Sequence, residues 1–318
     1  MKDRPRSGGP IPGGHGQGSR GRGGPGQKSG FGQKSAHPPS KPHGPKPHAA
    51  KPHAAKPYGA KPHPGKGQRP PDGPAFRRPS AEVAVLYGFH AVLEALRNKS
   101  RKLLDLYATE AAAERLAEDA AKAGVSLHIV AAEDLQRRLG GDSVHQGVML
   151  EARPLEAPDL DGIAANSGVV LVLDQITDPH NVGAILRSAA AFSVDAVVTT
   201  ERHAPELSGV LAKAASGALE HVAVIEVVNL ARALEELGDL GYQRIGLDSE
   251  GSEPLQNLDI GHPVALVLGA EGKGLRRLTR EKCDVLARLD LPGAIKSLNV
   301  SNACAVALTL VQIAAGSK

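Results

Sequence analysis

Tryptophan is absent from this chain of 318 residues, aromatic residues make up only 3% of it, and there are two cysteines, Cys283 and Cys304. Two thiols cannot build the disulfide framework of a small secreted domain, and neither has a second Cys or a His at metal-ligand spacing. A reducing compartment fits this usage, and no resident metal is expected. Long apolar runs are missing too. None reaches the roughly 18 to 20 residues that cross a bilayer, and the N-terminus lacks the apolar core of about 7 to 15 residues that marks a signal peptide. These absences predict a soluble, cytoplasmic protein with no membrane partner. The glycine fingerprint G-x-G-x-x-G follows none of the strand-like segments, which excludes a Rossmann-type dinucleotide enzyme.

Charge is present but unevenly placed. Residues 1 to 80 hold nine Lys and seven Arg against Asp3 and Asp72, a net of +14, whereas 81 to 318 hold 22 basic and 32 acidic residues, a net of −10. After Ile11 this first stretch has no Val, Leu, Ile or Met up to Ser80, so nothing in it offsets the entropy of folding. Residues 1–82 are therefore expected to be a disordered basic tail. It carries a five-residue repeat at Lys41-Pro42-His43, Lys46-Pro47-His48, Lys51-Pro52-His53, Lys56-Pro57-Tyr58 and Lys61-Pro62-His63. Proline at that density favours extended segments with their charges held apart. Such an arm can contact RNA phosphates, serve as a solubilising linker, or offer its spaced histidines to a metal.

Folded patterning starts near Val83. A helix-like run places Val92, Leu93 and Leu96 on one face, and the following segments alternate: strand 103–107, alanine-rich helix 111–123 closed by Gly124, strand 125–130, a short helix and strand 148–152. Residues 83–153 read as a small α/β domain. Pro154, Pro158, Asp161, Gly162 and Asn166 mark a linker over 154–167. The alternation resumes over 168–318, with strands 169–173, 196–200, 222–228, 244–247, 264–268 and 285–291 between helices 182–192, 205–215, 230–240, 276–283 and 299–314. Continuous Val/Ile/Leu strands between helices predict a parallel sheet covered on both faces.

Three polar segments stand where this second domain turns from strand to helix, the place where open α/β sheets bind ligands. The first runs from Asp174 to Ala189, with Val182, Ile185, Leu186 and Ala189 as the buried stripe and Arg187 on the opposite flank with Gly183, whose small size leaves room for a ligand. Asn181 can equally be a helix cap and Arg187 a solvated charge. The second, Gly269-Ala270-Glu271-Gly272-Lys273-Gly274, has three glycines that permit close backbone approach. The third, Leu289 to Asn302, leads into the last helix with Ser297 and Asn299 near its start, where both can act as caps.

Taken together, the segments resemble the three signature motifs of the SpoU/TrmH family, within the SPOUT class of RNA methyltransferases. Asp178-Pro179-x-Asn181-x-Gly183-x-x-x-Arg187-Ser188 matches the first motif, Gly269-x-Glu271-x-x-Gly274 the second, and Ser297-Leu298-Asn299-Val300-Ser301 the third. Tyr87-Gly88, the His145-Gln146-Gly147 turn and the stretch Lys213 to Glu220 are similar to the subgroup that methylates a guanosine ribose in bacterial 23S rRNA. The resemblance covers about 84 to 316. It implies an α/β SPOUT domain with a C-terminal trefoil knot, an RNA-binding domain of L30e ribosomal-protein type over 83–153, S-adenosyl-L-methionine as cofactor, and a homodimer with the site completed across the interface.

Methyl transfer to a ribose needs the proton of the 2′-hydroxyl removed and the oxygen placed in line. The resemblance assigns this chemistry to Arg187, with Asn181, Glu271, Ser297 and Asn299 holding the reacting groups, and gives Gly269, Leu289 and Leu298 to the cofactor. A guanidinium stays protonated at ordinary pH, so Arg187 fits a clamp on phosphate and a stabiliser of the developing alkoxide better than a base; a base remains open if an RNA phosphate takes part. Where the family commonly has Ile-Pro-Met, this chain has Leu289-Asp290-Leu291, which sets an extra acid beside the expected adenine pocket. A tRNA ribose methyltransferase or a resistance-type rRNA enzyme of the same family is the alternative, followed by a catalytically silent RNA-binding assembly factor.

Overall fold

Val148 to Ala152, four apolar residues and Glu151, form a strand buried along its whole length, and the first domain is arranged around it. A computed structural model describes residues 76–78, 80–141, 143–156, 158–163, 168–202, 204–205 and 209–316. The expected tail up to residue 75, with its repeat, lies outside the described residues, as do Asn166 and residues 206–208 of the helix expected from Pro205, which is itself described and not helical. The first sheet contains β1 (Ala84–Tyr87), β2 (Leu103–Ala108), β3 (Ser126–Ile129) and β4 (Val148–Ala152) in the order β1-β4-β2-β3. Helices α1 (Phe89–Arg97) and α2 (Glu110–Ala123) bury Val92, Leu96, Ala112 and Leu116 against Leu86, Leu106 and Leu150 on one face. α3 (Ala132–Leu139) sets Leu135 against Tyr107 and Met149 on the other. Gly124 closes α2 in the left-handed conformation.

Phe76 and Arg77, which composition groups with the tail, pack on that second face. The Phe76 ring centroid lies 4.8 Å from that of Tyr107. Arg77 donates from Nη2 to Asp105 at 2.6 Å and from its backbone N–H to both Glu151 oxygens at 3.2 Å. The Glu151 side chain is completely buried, and the lost hydration pushes its carboxyl pKa up. Arg77 thus completes a buried acid that the folded domain already holds.

The second sheet contains β5 (Val169–Asp174), β6 (Ala196–Thr200), β7 (Ala223–Val227), β8 (Gln243–Leu247), β9 (Glu253–Pro254), β10 (Val264–Gly269) and β11 (Val285–Arg288), in the order β7-β6-β5-β10-β8-β11-β9. Every pairing in it is parallel, as the unbroken Val/Leu runs require. One face packs on α5 (Pro179–Ala191), α6 (Gly209–Ala215) and α9 (Val300–Gly316), the other on α7 (Leu230–Asp239), against which the short α8 (Arg277–Glu281) rests. The expected linker contributes α4 (Leu160–Ile163) to the second face, because Leu160 and Ile163 fall one turn apart and are both buried. α5 begins at Pro179 rather than Val182. Asp178 caps it by accepting from the His180 N–H at 3.0 Å, and proline suits the first helical turn, where its missing N–H is not needed. β11 ends at Arg288, three residues short of the expected Leu291. Arg288 Nε bonds Asp290 at 2.9 Å there, and the chain then leaves the sheet ahead of Pro292-Gly293.

Stretches far apart in sequence meet at the junction of the two domains. Gln146 accepts the Phe89 N–H at 2.8 Å, and the Lys213 side chain lies against Gly88, where an added Cβ would come within 3.3 Å of its Cγ.

Candidate active site

β5 and β10 are neighbours, and their parallel register sets Asp174 opposite Gly269. The loop after β5 and the turn after β10 therefore emerge side by side at the carboxyl end of the sheet. Gly269 is demanded by that turn: a Cβ would lie 2.3 Å from the Gly274 carbonyl carbon, and the Gly274 N–H returns to the Ala270 carbonyl at 2.8 Å. Gly274 itself has φ of 64°, a conformation open to glycine at little cost.

The third segment arrives at the same place from β11. Asn299 donates its amide to Glu271 Oε1 at 2.6 Å and to Asn181 Oδ1 at 2.9 Å, while its own oxygen accepts the Ser301 N–H at 3.0 Å. The Val300 N–H, at the start of α9, donates to Glu271 Oε1 at 3.2 Å. A carboxylate at a helix N-terminus is favoured by the orphan N–H groups and the helix dipole. Asn299 is thus both the cap of α9 and the tie among three segments, whereas the cap of α5 is Asp178 and not Asn181.

Of the five residues expected to do chemistry, three are in mutual contact: Asn181, Glu271 and Asn299. Arg187 is exposed six residues further along α5, about 9 Å of helix, and among the described residues it makes no hydrogen bond or ion pair. Ser297 is also exposed and makes no hydrogen bond among the described residues. Of the three expected to hold cofactor, Gly269 lines the turn, Leu289 is half-buried against the core, and Leu298 is 39% exposed next to Ile295 at 77%. Asp290 is engaged by Arg288 and by Gln256 Nε2 at 3.4 Å, so the additional acid is partly neutralised.

Gly183 does not leave room for a ligand. It is buried, and a Cβ would meet the Ala214 Cβ at 2.4 Å and the Ala215 nitrogen at 2.9 Å, so its small size serves the close approach of α5 and α6. A pair that sequence reasoning missed stands beside the site. The fully buried Asp174 carboxylate accepts the Arg276 backbone N–H at 2.9 Å and its Nε at 2.5 Å. The legible signal was an acid ending a strand whose other residues are all apolar, since a buried charge needs a partner.

A cleft of about 490 Å³ opens between the two turns, lined by residues that include Gln175, Asp178, Asn181, Glu271 and Lys273. Among the described residues no cluster of His, Cys, Asp and Glu is placed to hold a metal ion, and no helix is long and apolar enough to cross a membrane. Burial raises both thiols, Cys283 and Cys304, to about 12, so neither supplies a thiolate nucleophile at ordinary pH.

The profile of the SpoU rRNA methylase family matches residues 168–309, and that of the RNA 2′-O ribose methyltransferase substrate-binding domain matches 85–158. The chain belongs to the SpoU methylase family and is a methyltransferase. Among its relatives, a 23S rRNA (guanosine-2′-O-)-methyltransferase RlmB of Ralstonia nicotianae is 42% identical over 233 residues, 70% of this chain and 93% of the relative. The protein of the same name from Pseudomonas aeruginosa is 38% identical over 231 residues, 70% of this chain and 93% of the relative. The solved structure of the SpoU methyltransferase AviRb from Streptomyces viridochromogenes, in complex with AdoMet, shares the fold at a TM-score of 0.64 and 22% identity, over 74% of this chain and 92% of that one.

Proposed function

We propose that this chain transfers a methyl group from S-adenosylmethionine to the 2′-oxygen of a guanosine ribose in 23S rRNA. The observation that carries the reading is the Asn181–Glu271–Asn299 contact, in which three distant motifs of the family meet at the carboxyl ends of β5 and β10. Relatives named for that reaction span both domains of this chain, which extends the reading to the substrate. When bound, S-adenosylmethionine supplies an electrophilic methyl group on a sulfonium.

The backbone of the Gly269–Leu275 turn and the segment from Leu289 to Leu298 hold the cofactor. The exposed apolar surface of Leu298 and Ile295, and the backbone approach that Gly269 and Gly274 permit, fit that role. Asn299 and Asn181 keep Glu271 oriented. Arg187, exposed and without a partner among the described residues, is free to clamp an RNA phosphate and to stabilise the alkoxide as the 2′-hydroxyl passes its proton to that phosphate or to solvent. Ser297, exposed and with no hydrogen bond among the described residues, is available to help hold the reacting groups.

The reading includes a trefoil-knotted C-terminus, supported by the return of the chain after β11 to touch the turn after β10, two strands away. It also includes a homodimer through the catalytic domain, supported by the exposed Val306 and Ile313 on α9, a basic tail that contacts RNA phosphates, and a cytoplasmic location where ribosomes are built. Mapping ribose methyl groups on rRNA and tRNA from cells with and without the gene tests it. Loss of one 23S guanosine methylation is expected; loss from tRNA alone would move the substrate to tRNA, and no loss would overturn the reading.

A further inference from the structure

The two domains are joined by a buried ion pair. Arg101 follows α1 in the substrate-binding domain, and Glu220 ends the 3-10 turn Ala218–Glu220 between α6 and β7. Arg101 Nε donates to Glu220 Oε2 at 2.8 Å, with side-chain exposures of only 4% and 2%. The same oxygen accepts Asn98 Nδ2 at 2.8 Å, and Arg101 Nη1 donates to the Arg153 carbonyl at 3.0 Å, where the chain leaves the first domain. The buried pair thus gathers the end of α1, the exit from β4 and the methylase domain.

Its surroundings show where the contact is close and where it is open. Gly217, with φ of 92°, lies so near Glu94 that an added Cβ would be 2.5 Å from its Cγ, and His221 Nε2 meets Glu94 Oε2 at 2.9 Å. Alongside, a cavity of about 700 Å³ separates β1 from the Val222–Val224 stretch. The domains also touch at α6, where Ala212 joins the first domain's core and an added Cβ on Gly209 would lie 2.4 Å from Tyr87 Cε1. The ion pair is thus the directional, polar part of a junction that stays open along the cavity, and it fixes the angle that small-residue packing alone would leave less defined. Buried ion pairs add little net stability over apolar packing and are retained in some proteins because they specify one arrangement.

We propose that Arg101 and Glu220 are positioning residues that set the angle at which the substrate-binding domain presents RNA to the Asn181–Glu271–Asn299 site. The proposal rests on the rRNA methyltransferase reading. The pair acts on which ribose reaches the site rather than on the transfer itself.

The test uses the full chain with Arg101→Met and Glu220→Leu combined, beside Glu220→Gln, which keeps an acceptor, and Glu220→Ala. Thermal melting and calorimetric S-adenosylmethionine binding report fold and site. Steady-state kinetics on 23S rRNA, with methyl mapping, report positioning. The apolar double variant is expected to melt near the wild type and to bind cofactor equally. Its kcat/KM on rRNA should fall roughly tenfold to a hundredfold, through KM, with methylation spreading to neighbouring riboses; Glu220→Gln should restore most of the loss. Nitroxide distances between Lys122→Cys on α2 and Arg232→Cys on α7, in a Cys283→Ser background, should be narrow in the wild type and broad in the double variant. Unchanged KM, target and distance width in a folded double variant would overturn the proposal. If that variant does not fold, the same three readings unchanged in Glu220→Ala below its melting point would overturn it. A wild-type chain that methylates no RNA would overturn the function reading instead, while the distance measurement would still decide whether the pair fixes the angle.

Discussion

Arg276 grips Asp174 twice, through its backbone N–H at 2.9 Å and its Nε at 2.5 Å, and so ties the turn after β10 to the end of β5. Asp174 is fully buried and Arg276 is 45% exposed, so the acid depends on the arginine more than the reverse. Asp174→Asn keeps an acceptor but loses the charge. It should cost about 1–3 kcal/mol of stability and weaken S-adenosylmethionine binding, because the Gly269–Leu275 turn loses its anchor. Thermal melting and calorimetry decide this, and unchanged cofactor affinity in a destabilised variant would confine the pair to folding.

Arg187→Ala should abolish methyl transfer while leaving melting temperature and cofactor binding intact, since an exposed side chain with no bonds among the described residues carries no fold. Tritium transfer to rRNA measures it. Retention of more than about a tenth of the activity, a barrier change under roughly 1.4 kcal/mol, would remove Arg187 from the mechanism.

How much of this was legible depends on whether the cause was local. Strands β4 and β6 were readable to the residue, and the parallel second sheet followed from the unbroken apolar runs of β5, β6 and β10. The three motifs could be picked out as polar segments at strand ends, but only the fold shows Asn299 bonded to Asn181 and Glu271. The purpose of Gly183 was misread, because a glycine that admits a ligand and one that admits a neighbouring helix look alike in sequence. The docking of Phe76 and Arg77 was hidden for a similar reason, since their need arises from Glu151, 74 residues away from Arg77.

His145 makes one stability contribution depend on pH. Burial, and then the charge of Lys213, hold its pKa below the ordinary 6.5. Its Nδ1 accepts the Gly147 N–H at 3.0 Å and its Nε2 lies 3.1 Å from Gln136 Oε1, an arrangement that needs a neutral ring. As pH falls below 6.5 the unfolded chain takes up a proton that the folded chain resists. The contribution is therefore full above that value and is lost as pH falls through the depressed folded one. The melting-temperature gap between wild type and His145→Gln should shrink from about pH 7.5 to about pH 5, and a constant gap would contradict this.

Truncations on either side of Phe76 should behave differently. Removing residues 1–75 should weaken RNA binding at low salt and flatten the dependence of log affinity on log salt, by roughly 0.7 to 0.9 for each phosphate the tail had neutralised, with melting unchanged. Removing 1–80 should in addition lower stability by about 1–3 kcal/mol, because Glu151 is deprived of Arg77. Salt-series titrations and melts separate the two effects, and equal melting of both truncations would show that the Arg77 hydrogen bonds carry no stability.

Ribose methylation of rRNA can be read directly from the purified chain. The purified chain is incubated with labelled S-adenosylmethionine and unmodified 23S rRNA, 16S rRNA or tRNA, and the RNA is digested to nucleosides. Label is expected in 2′-O-methylguanosine from 23S rRNA, approaching about one methyl per molecule at completion, as for a site selected by the folded domains. Label in a base-methylated nucleoside, label confined to tRNA, or no label from a folded, cofactor-binding chain would contradict it.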